Sequence, residues 1–163
     1  MTMIHIRKAQ LDDCSSIADL HVAAVNGIRT TLYTPEELYA WAVPKNPERY
    51  EDIIRTKEFL IAEEDGVILG FGVLDQERAE IEALYVSPEA GRRGIGLLLL
   101  RRLEERACDL GLRVLRLNAS LNAVPFYEKA GFLGHERSKY RLSTGVEIAC
   151  VPMSKKTRLA NMD

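Results

Sequence analysis

The chain has 163 residues, enough for one domain with a single sizeable core. Its 22 basic and 24 acidic residues nearly cancel, which speaks against nucleic acid as a partner; no basic run suits a membrane surface, and no apolar stretch reaches the roughly 18 residues of a spanning helix. Cys14, Cys108 and Cys150 are odd in number, widely spaced and form no CxxC pair, which argues against a disulfide framework or a metal site; with no signal-like apolar region at the start, a reducing cytoplasm is the expected location.

Residues 4–8 (Ile-His-Ile-Arg-Lys) alternate apolar and polar and predict a first strand. Asp12 is placed to cap a following helix whose apolar face carries Ile17, Leu20, His21, Ala24 and Ile28. A second helical region spans 35–56, opened by Pro35 with Glu36 and Glu37 and broken at Pro44 and Pro47. Residues 59–62 and 67–74 are apolar runs flanking Asp65-Gly66, a strong hairpin signal. A strand is expected over 80–86, then a helix over 95–110. That helix presents Ile95, Leu98, Leu99, Leu103, Ala107 and Leu110 on one face, with Gly111 at its C′ position. Residues 114–117 form a strand, 122–130 a short helix, and 132–137 and 146–153 strands. The composition shows no linker or repeat, so residues 1–154 read as one α/β domain and 155–163 as a polar C-terminal tail.

The strand–loop–helix–strand unit over 80–117 implies a parallel crossover, and ligands in such units sit beyond the carboxyl end of the first strand. Ser87-Pro88-Glu89-Ala90-Gly91-Arg92-Arg93-Gly94-Ile95-Gly96 occupies that place. Its glycines allow close backbone approach, and the helix opening at Gly94 offers free N–H groups and a positive dipole end to a phosphate. The dinucleotide pattern GxGxxG fails at Leu99, and no Gly-Lys-Ser/Thr exists for a Walker loop. Taken alone, the loop is a generic anion site, or a plain strand-to-helix turn.

Leu84-Tyr85-Val86-Ser87-Pro88, Gly94-Ile95-Gly96 opening a leucine-rich helix, and Asn118…Asn122-Ala123…Phe126-Tyr127-Glu128-Lys129-Ala130-Gly131-Phe132 together resemble the GNAT superfamily of N-acetyltransferases, over about residues 4–153. The resemblance implies an α+β fold: a mixed, mostly antiparallel central sheet flanked by helices, with one parallel strand pair splayed to admit coenzyme A. It implies acetyl-coenzyme A as acetyl donor, no metal, and a small-molecule or peptide primary amine as acceptor, attacked directly in a ternary complex. The alternative is a coenzyme A-binding regulatory domain without turnover. Cofactor contacts are implied for Leu84, Tyr85, Val86, Arg92, Arg93, Gly94, Ile95, Gly96, Asn122, Phe126 and Tyr127. The family's loop usually begins with Gln or Arg where this chain has Gly91; the loop's backbone N–H groups and the charges of Arg92 and Arg93 remain. Asn122 also reads as an N-cap.

An alkyl ammonium has a pKa of about 10.4, so reaching its neutral form at pH 7 costs roughly 4–5 kcal/mol, and a proton acceptor near it is useful. The resemblance places that group on the strand before the loop, where Glu80 and Glu82 share one face. Proximity would raise the pKa of one of the pair; the competing reading is a solvated strand face beside Arg78. Tyr127 matches the family's tyrosine acid for the departing thiolate, with Phe132 set against its ring by Gly131 as C′ residue. The N–H near Leu84 is the implied oxyanion donor. His21, Tyr33, Tyr39, Trp41 and Tyr50 lie on the elements that shape the acceptor pocket in this family. Asp75, Glu77, Glu80 and Glu82 suggest a cationic acceptor. Strand edges after Phe132 offer a surface on which two chains could pair as a homodimer.

Overall fold

A computed structural model describes residues 3–162; Met1, Thr2 and Asp163, the last of the expected tail, lie outside the described residues. Strands β1 (His5–Lys8), β2 (Glu58–Glu64), β3 (Val67–Asp75), β4 (Glu80–Val86), β5 (Val114–Ser120), β6 (Leu133–Gly134), β7 (Ser138–Arg141) and β8 (Glu147–Lys156) build one sheet in the order β1-β2-β3-β4-β5-β8-β6, with β7 also on β8. Every pairing is antiparallel except β4 with β5. Among the described residues, five α-helices flank the sheet: α1 (Cys14–Asn26), α2 (Pro35–Ala42), α3 (Pro47–Thr56), α4 (Ile95–Asp109) and α5 (Val124–Lys129). The mixed, mostly antiparallel sheet with one parallel pair, expected from the resemblance, is present.

Local chemistry accounts for most of the elements. Asp65 and Gly66 join β2 to β3 with φ of 51° and 78°, the double positive φ that a tight two-residue hairpin turn requires. Thr34 and Glu37 cap α2 reciprocally over Pro35, at 3.1 and 2.9 Å, a box that stabilises a helix start by about 1 kcal/mol. Asn46 caps α3 over Pro47. The first helix starts differently from expectation: Asp13, not Asp12, ties the entry, accepting from Gln10 N at 2.7 Å and from Arg7 at 2.8 and 3.0 Å.

Helix α4 lies on β3 because β3 presents glycines to it. A Cβ on Gly70 would stand 3.1 Å from Leu99 and 3.3 Å from Ile95, and one on Gly72 would stand 2.8 Å from Leu103. The helix ends in a Schellman motif: Gly111, at φ 80°, donates to Cys108 O, and Leu112 donates to Ala107 O. Its buried stripe is Ile95, Leu99, Leu100, Leu103 and Ala107, whereas Leu98 and Leu110 are exposed. This corrects the expected face. Ile95 and four consecutive leucines at 97–100 open the helix, and its seat on the sheet decides which of them are covered.

Two cores result. One lies between the sheet and α4–α5, with Leu99, Leu103, Leu117, Phe132 and Met153. The other lies beneath α1 and α3, with Ile17, Tyr50, Phe59, Ile61 and Phe71. The C-terminal end also departs from expectation. Strand β8 continues to Lys156, Lys155 Nζ bonds Glu104 on α4 at 2.6 Å and Ala130 O at the end of α5 at 2.8 Å, and buried Thr157 bonds Leu112 O. Lys155 and Lys156 therefore belong to the sheet rather than to a polar tail, and Thr157 is anchored just beyond it. The strand expected over 132–137 is reduced to β6, and the outer edge is β7, all four of whose residues are exposed.

Candidate active site

The parallel strands touch only at Glu80↔Arg116 and Ile81↔Leu117. Beyond that point β4 stays with β3 up to Gly70↔Val86, and β5 stays with β8 up to Ser120↔Cys150. The two strands therefore splay. A cleft of ≈ 770 Å³ runs through the gap, bordered by Leu84 and Val86 on one side and Asn118 and Ser120 on the other.

The main chain of β4 faces this gap with unused hydrogen-bonding groups. Ser87 N donates to Leu69 O of β3 at 2.8 Å. In an extended strand successive residues point their N–H and C=O to opposite sides, so Tyr85 also faces β3 while Leu84 and Val86 face the gap. One irregularity precedes them. The β3–β4 register steps from Val73↔Ala83 to Leu74↔Ile81, leaving Glu82 as the extra residue of a bulge. The bulge resets the side-chain alternation: Ile81, Leu84 and Val86 pack on the α4 side, Ala83 and Tyr85 on the α1 side.

Helix α4 begins at the same gap. Gly94 precedes it at φ 75°, a left-handed conformation with open space where a side chain would be. The first intrahelical bond runs from Leu98 N to Gly94 O at 3.0 Å, so the N–H groups of Ile95, Gly96 and Leu97 have no intrahelical acceptor. A Cβ on Gly96 would lie 3.5 Å from Phe126 and 3.6 Å from Val86, so α4, α5 and β4 converge there. Free strand amides leading to free helix N–H groups suit an extended arm that ends in phosphates. Of the two loop arginines, Arg92 is exposed at φ 64°, but Arg93 is held by Glu64 at 2.9 and 2.6 Å. Arg93 thus braces the loop against β2 instead of offering an uncommitted charge.

Tyr127 stands on the opposite wall. Gly131 at φ 99° closes α5, and Phe132 N donates to Tyr127 O at 3.0 Å. This brings the Phe132 ring edge-on to Tyr127, at 5.8 Å between centroids, with Phe126 against it at 5.1 Å. The ring is locked, its hydroxyl makes no hydrogen bond among the described residues, and burial pushes its pKa above the ordinary phenol value. Asn122 is exposed at the cleft, and Ala123 rather than Asn122 is the N-cap of α5. Tyr85 is the candidate that points elsewhere. Its main chain pairs with β3, and its ring sits on the α1 side, accepting from Trp41 Nε1 at 2.9 Å.

Both candidate carboxylates border the cleft, each with its own cation. Glu82 receives Lys57 Nζ on both oxygens, at 2.6 and 2.7 Å, and Lys57 also lies 3.6 Å from Asp75. Glu80 lies 3.7 Å from Arg78 and 3.5 Å from Asn118. Lys45, Arg49 and Arg141 line the same cleft. The acids expected to favour a cationic acceptor are therefore paired with cations, and the cations of the lining outnumber them. No sequence pattern marked Lys45 or Lys57.

Of the five acceptor-side aromatics, three line the cleft: His21, Trp41 and Tyr50. Tyr39 is exposed on the outside of α2. Tyr33 is a structural clasp, donating to Ala149 O at 2.6 Å and accepting from Leu121 N at 2.8 Å. His21 is buried with its ring edge against Tyr85, and burial together with nearby Lys45 lowers its pKa to about 4.

Fold and cleft define an α/β protein whose splayed strand pair leaves main-chain groups of β4 and the N-terminus of α4 open along one gap. The chain belongs to the acetyltransferase (GNAT) domain family, whose model matches residues 29–157. It is 28% identical over 132 residues to the uncharacterized N-acetyltransferase YafP of Escherichia coli K12, spanning 81% of this chain and 83% of that protein. A GCN5-related N-acetyltransferase from Rhodopseudomonas palustris superposes with TM-score 0.88 at 28% identity, covering 96% of this chain and 97% of the other. The PaiA N-acetyltransferase of Thermoplasma acidophilum, solved with coenzyme A, superposes with TM-score 0.75 at 25% identity over 94% and 99% of the two chains. Among the described residues, no helix is long and apolar enough to cross a membrane, and no group of three or more His, Cys, Asp or Glu could hold a metal.

Proposed function

We propose that the protein is an N-acetyltransferase that moves an acetyl group from acetyl-coenzyme A to a primary amine by direct attack in a ternary complex. The observation that carries this reading is the unpaired edge of β4 leading to the free N-terminus of α4, with the Tyr127 hydroxyl across the gap. The coenzyme A complex of the PaiA relative supports the choice of donor. Three unpaired cysteines, two of them buried, accord with a reducing cytoplasm.

Bound acetyl-coenzyme A supplies an acyl thioester. In this reading Leu84 and Val86 bond the pantetheine arm, and the N–H groups of Ile95, Gly96 and Leu97, with Arg92, hold its phosphates. Asn122 and Phe126 border the arm. Glu82, two residues before Leu84 and oriented by Lys57, draws the proton from the acceptor ammonium, directly or through a water; Glu80 is the second candidate. The N–H of Leu84 donates to the carbonyl oxygen as negative charge develops there. Tyr127 gives its proton to the departing sulfur, and the locked ring keeps the hydroxyl in place.

The test is thiol release from acetyl-coenzyme A with a panel of amino acids, polyamines, aminoglycosides and peptides, for the wild type and for Glu82→Gln and Glu80→Gln. Release with at least one amine, lost about 100-fold in Glu82→Gln and kept in Glu80→Gln, is the expected result. Tight coenzyme A binding with no release from any amine would favour a regulatory binding domain instead.

A further inference from the structure

The roles above leave one wall of the cleft unexplained. Between α2 and α3 the chain reads Pro44-Lys45-Asn46-Pro47, and half-buried Lys45 turns into the cleft with its Nζ 5.8 Å from the centre of the Tyr50 ring. No carboxylate lies within ion-pair distance of it among the described residues. Glu82 lies within its electrostatic reach, but Glu82 is already paired with Lys57 through both oxygens. Beside it, two nearly inaccessible polar atoms have no partner among the described residues: Nδ1 of His21, a residue 4% exposed, and the hydroxyl of Tyr50, a residue 2% exposed. Arg49 borders the same wall. Buried polar groups are almost always satisfied, and a half-buried ammonium is costly unless an anion meets it. This wall thus holds a cation and two unmatched polar groups, each able to donate, with no anion within ion-pair distance.

Resting on the transfer reading, we infer that the wall receives a carboxylate carried by the acceptor itself, with Lys45 as its main partner and His21 and Tyr50 beside it. The acceptor is then a compact molecule bearing an amine and a carboxylate a short distance apart, as in an amino acid. The amine faces Glu82 and the carboxylate faces Lys45. A polyamine, or a lysine side chain on a peptide surface, brings no anion to this position and leaves Lys45 unmatched.

The test separates anion recognition from turnover. N-acetyl amino acids and the corresponding N-acetyl carboxamides, as pairs of product analogues, are titrated into the coenzyme A-loaded protein and followed by calorimetry and by the ring signals of His21. The acid of at least one pair binds about 10–100-fold more tightly than its amide, the size of one charge-assisted hydrogen bond to a partly buried partner. Lys45→Met removes most of that difference while leaving coenzyme A affinity and the amide's affinity within about 2-fold, and Lys45→Arg restores part of it. Equal binding of acid and amide in every pair, or an unchanged ratio in a folded Lys45→Met, overturns the inference. Release assays run alongside tell the two failures apart. Lys45-dependent acid binding without thiol release removes the transfer reading and keeps the anion site. Fast release with polyamines or peptide lysines, indifferent to Lys45→Met, keeps transfer and removes the site.

Discussion

His21 should remain a neutral base down to unusually low pH, and the protein should lose stability through it as pH falls. The ring is buried against Tyr85, its Nδ1 has no partner, and the neighbouring charge is the Lys45 ammonium rather than a carboxylate. Burial and Lys45 lower its pKa to about 4, whereas in the unfolded chain it titrates near 6.5. Between these values the unfolded state binds more protons, so stability rises with pH through the window and is fully present above about 6.5. A shift of this size corresponds to about 3 kcal/mol, of which about 2.5 kcal/mol is already lost at pH 4.5. Urea unfolding of the wild type and His21→Phe, each at pH 7 and pH 4.5, isolates the effect, because other titrating pairs such as Arg7–Asp13 cancel in the difference. The wild type should weaken relative to the variant by about 2–3 kcal/mol. Parallel pH slopes, or a His21 ring signal titrating near pH 6.5, would refute the reasoning.

Gly70→Ala should destabilise the fold by about 1–3 kcal/mol in urea unfolding, since its Cβ would stand 2.9 Å from the Tyr85 carbonyl oxygen, which cannot retreat without moving β4. Gly91→Gln should leave stability unchanged and coenzyme A affinity equal or higher, because that position has φ −62° and its Cβ would meet only Pro88 O, at 3.4 Å. Tyr127→Phe should lower kcat about 100-fold with little change in KM for acetyl-coenzyme A, because the packing on Phe126 and Phe132 is retained; an unchanged kcat removes the acid role. Arg92→Ala should weaken coenzyme A binding by itself, whereas Arg93→Ala and Glu64→Gln should act alike and not additively, as partners of one ion pair; a double-mutant cycle checks this.

The parts of the fold that could be read from sequence are those determined by neighbours along the chain. Asp65-Gly66 announces its hairpin because the turn is a two-residue problem. Gly131 followed by Phe132 announces the cap that packs on Tyr127, because the partners are five residues apart. Strand β4, the loop and α4 follow from one local pattern. What escaped depends on distant partners. Lys57 meets Glu82 across 25 residues and Arg93 meets Glu64 across 29, so no window along the chain contains either pair. The bulge at Glu82 is a property of the β3–β4 register and leaves no composition signal. Lys45 looks like an ordinary loop lysine until α2 and α3 fold over the cleft. The end of β8 was obscured because its last residues are polar, and they are ordered by Glu104, Ala130 and Leu112, which come from three other parts of the chain.

The segment from α2 through α3 adds no strand to the sheet, yet it carries Trp41, Lys45, Arg49 and Tyr50, most of one bank of the cleft. The opposite bank, around β4 and the start of α4, offers main-chain groups that depend little on which side chains flank them, Gly94 apart. The molecule is therefore modular in an evolutionary sense. Within residues 34–57 the cleft-facing positions such as Trp41, Lys45 and Arg49 can change, altering what enters beside β4, while Tyr50, the Thr34–Glu37 cap and Lys57 keep the stretch seated on the sheet and on Glu82. Grafting that stretch from one relative onto another is accordingly a short route to exchanging the chemistry each one accepts.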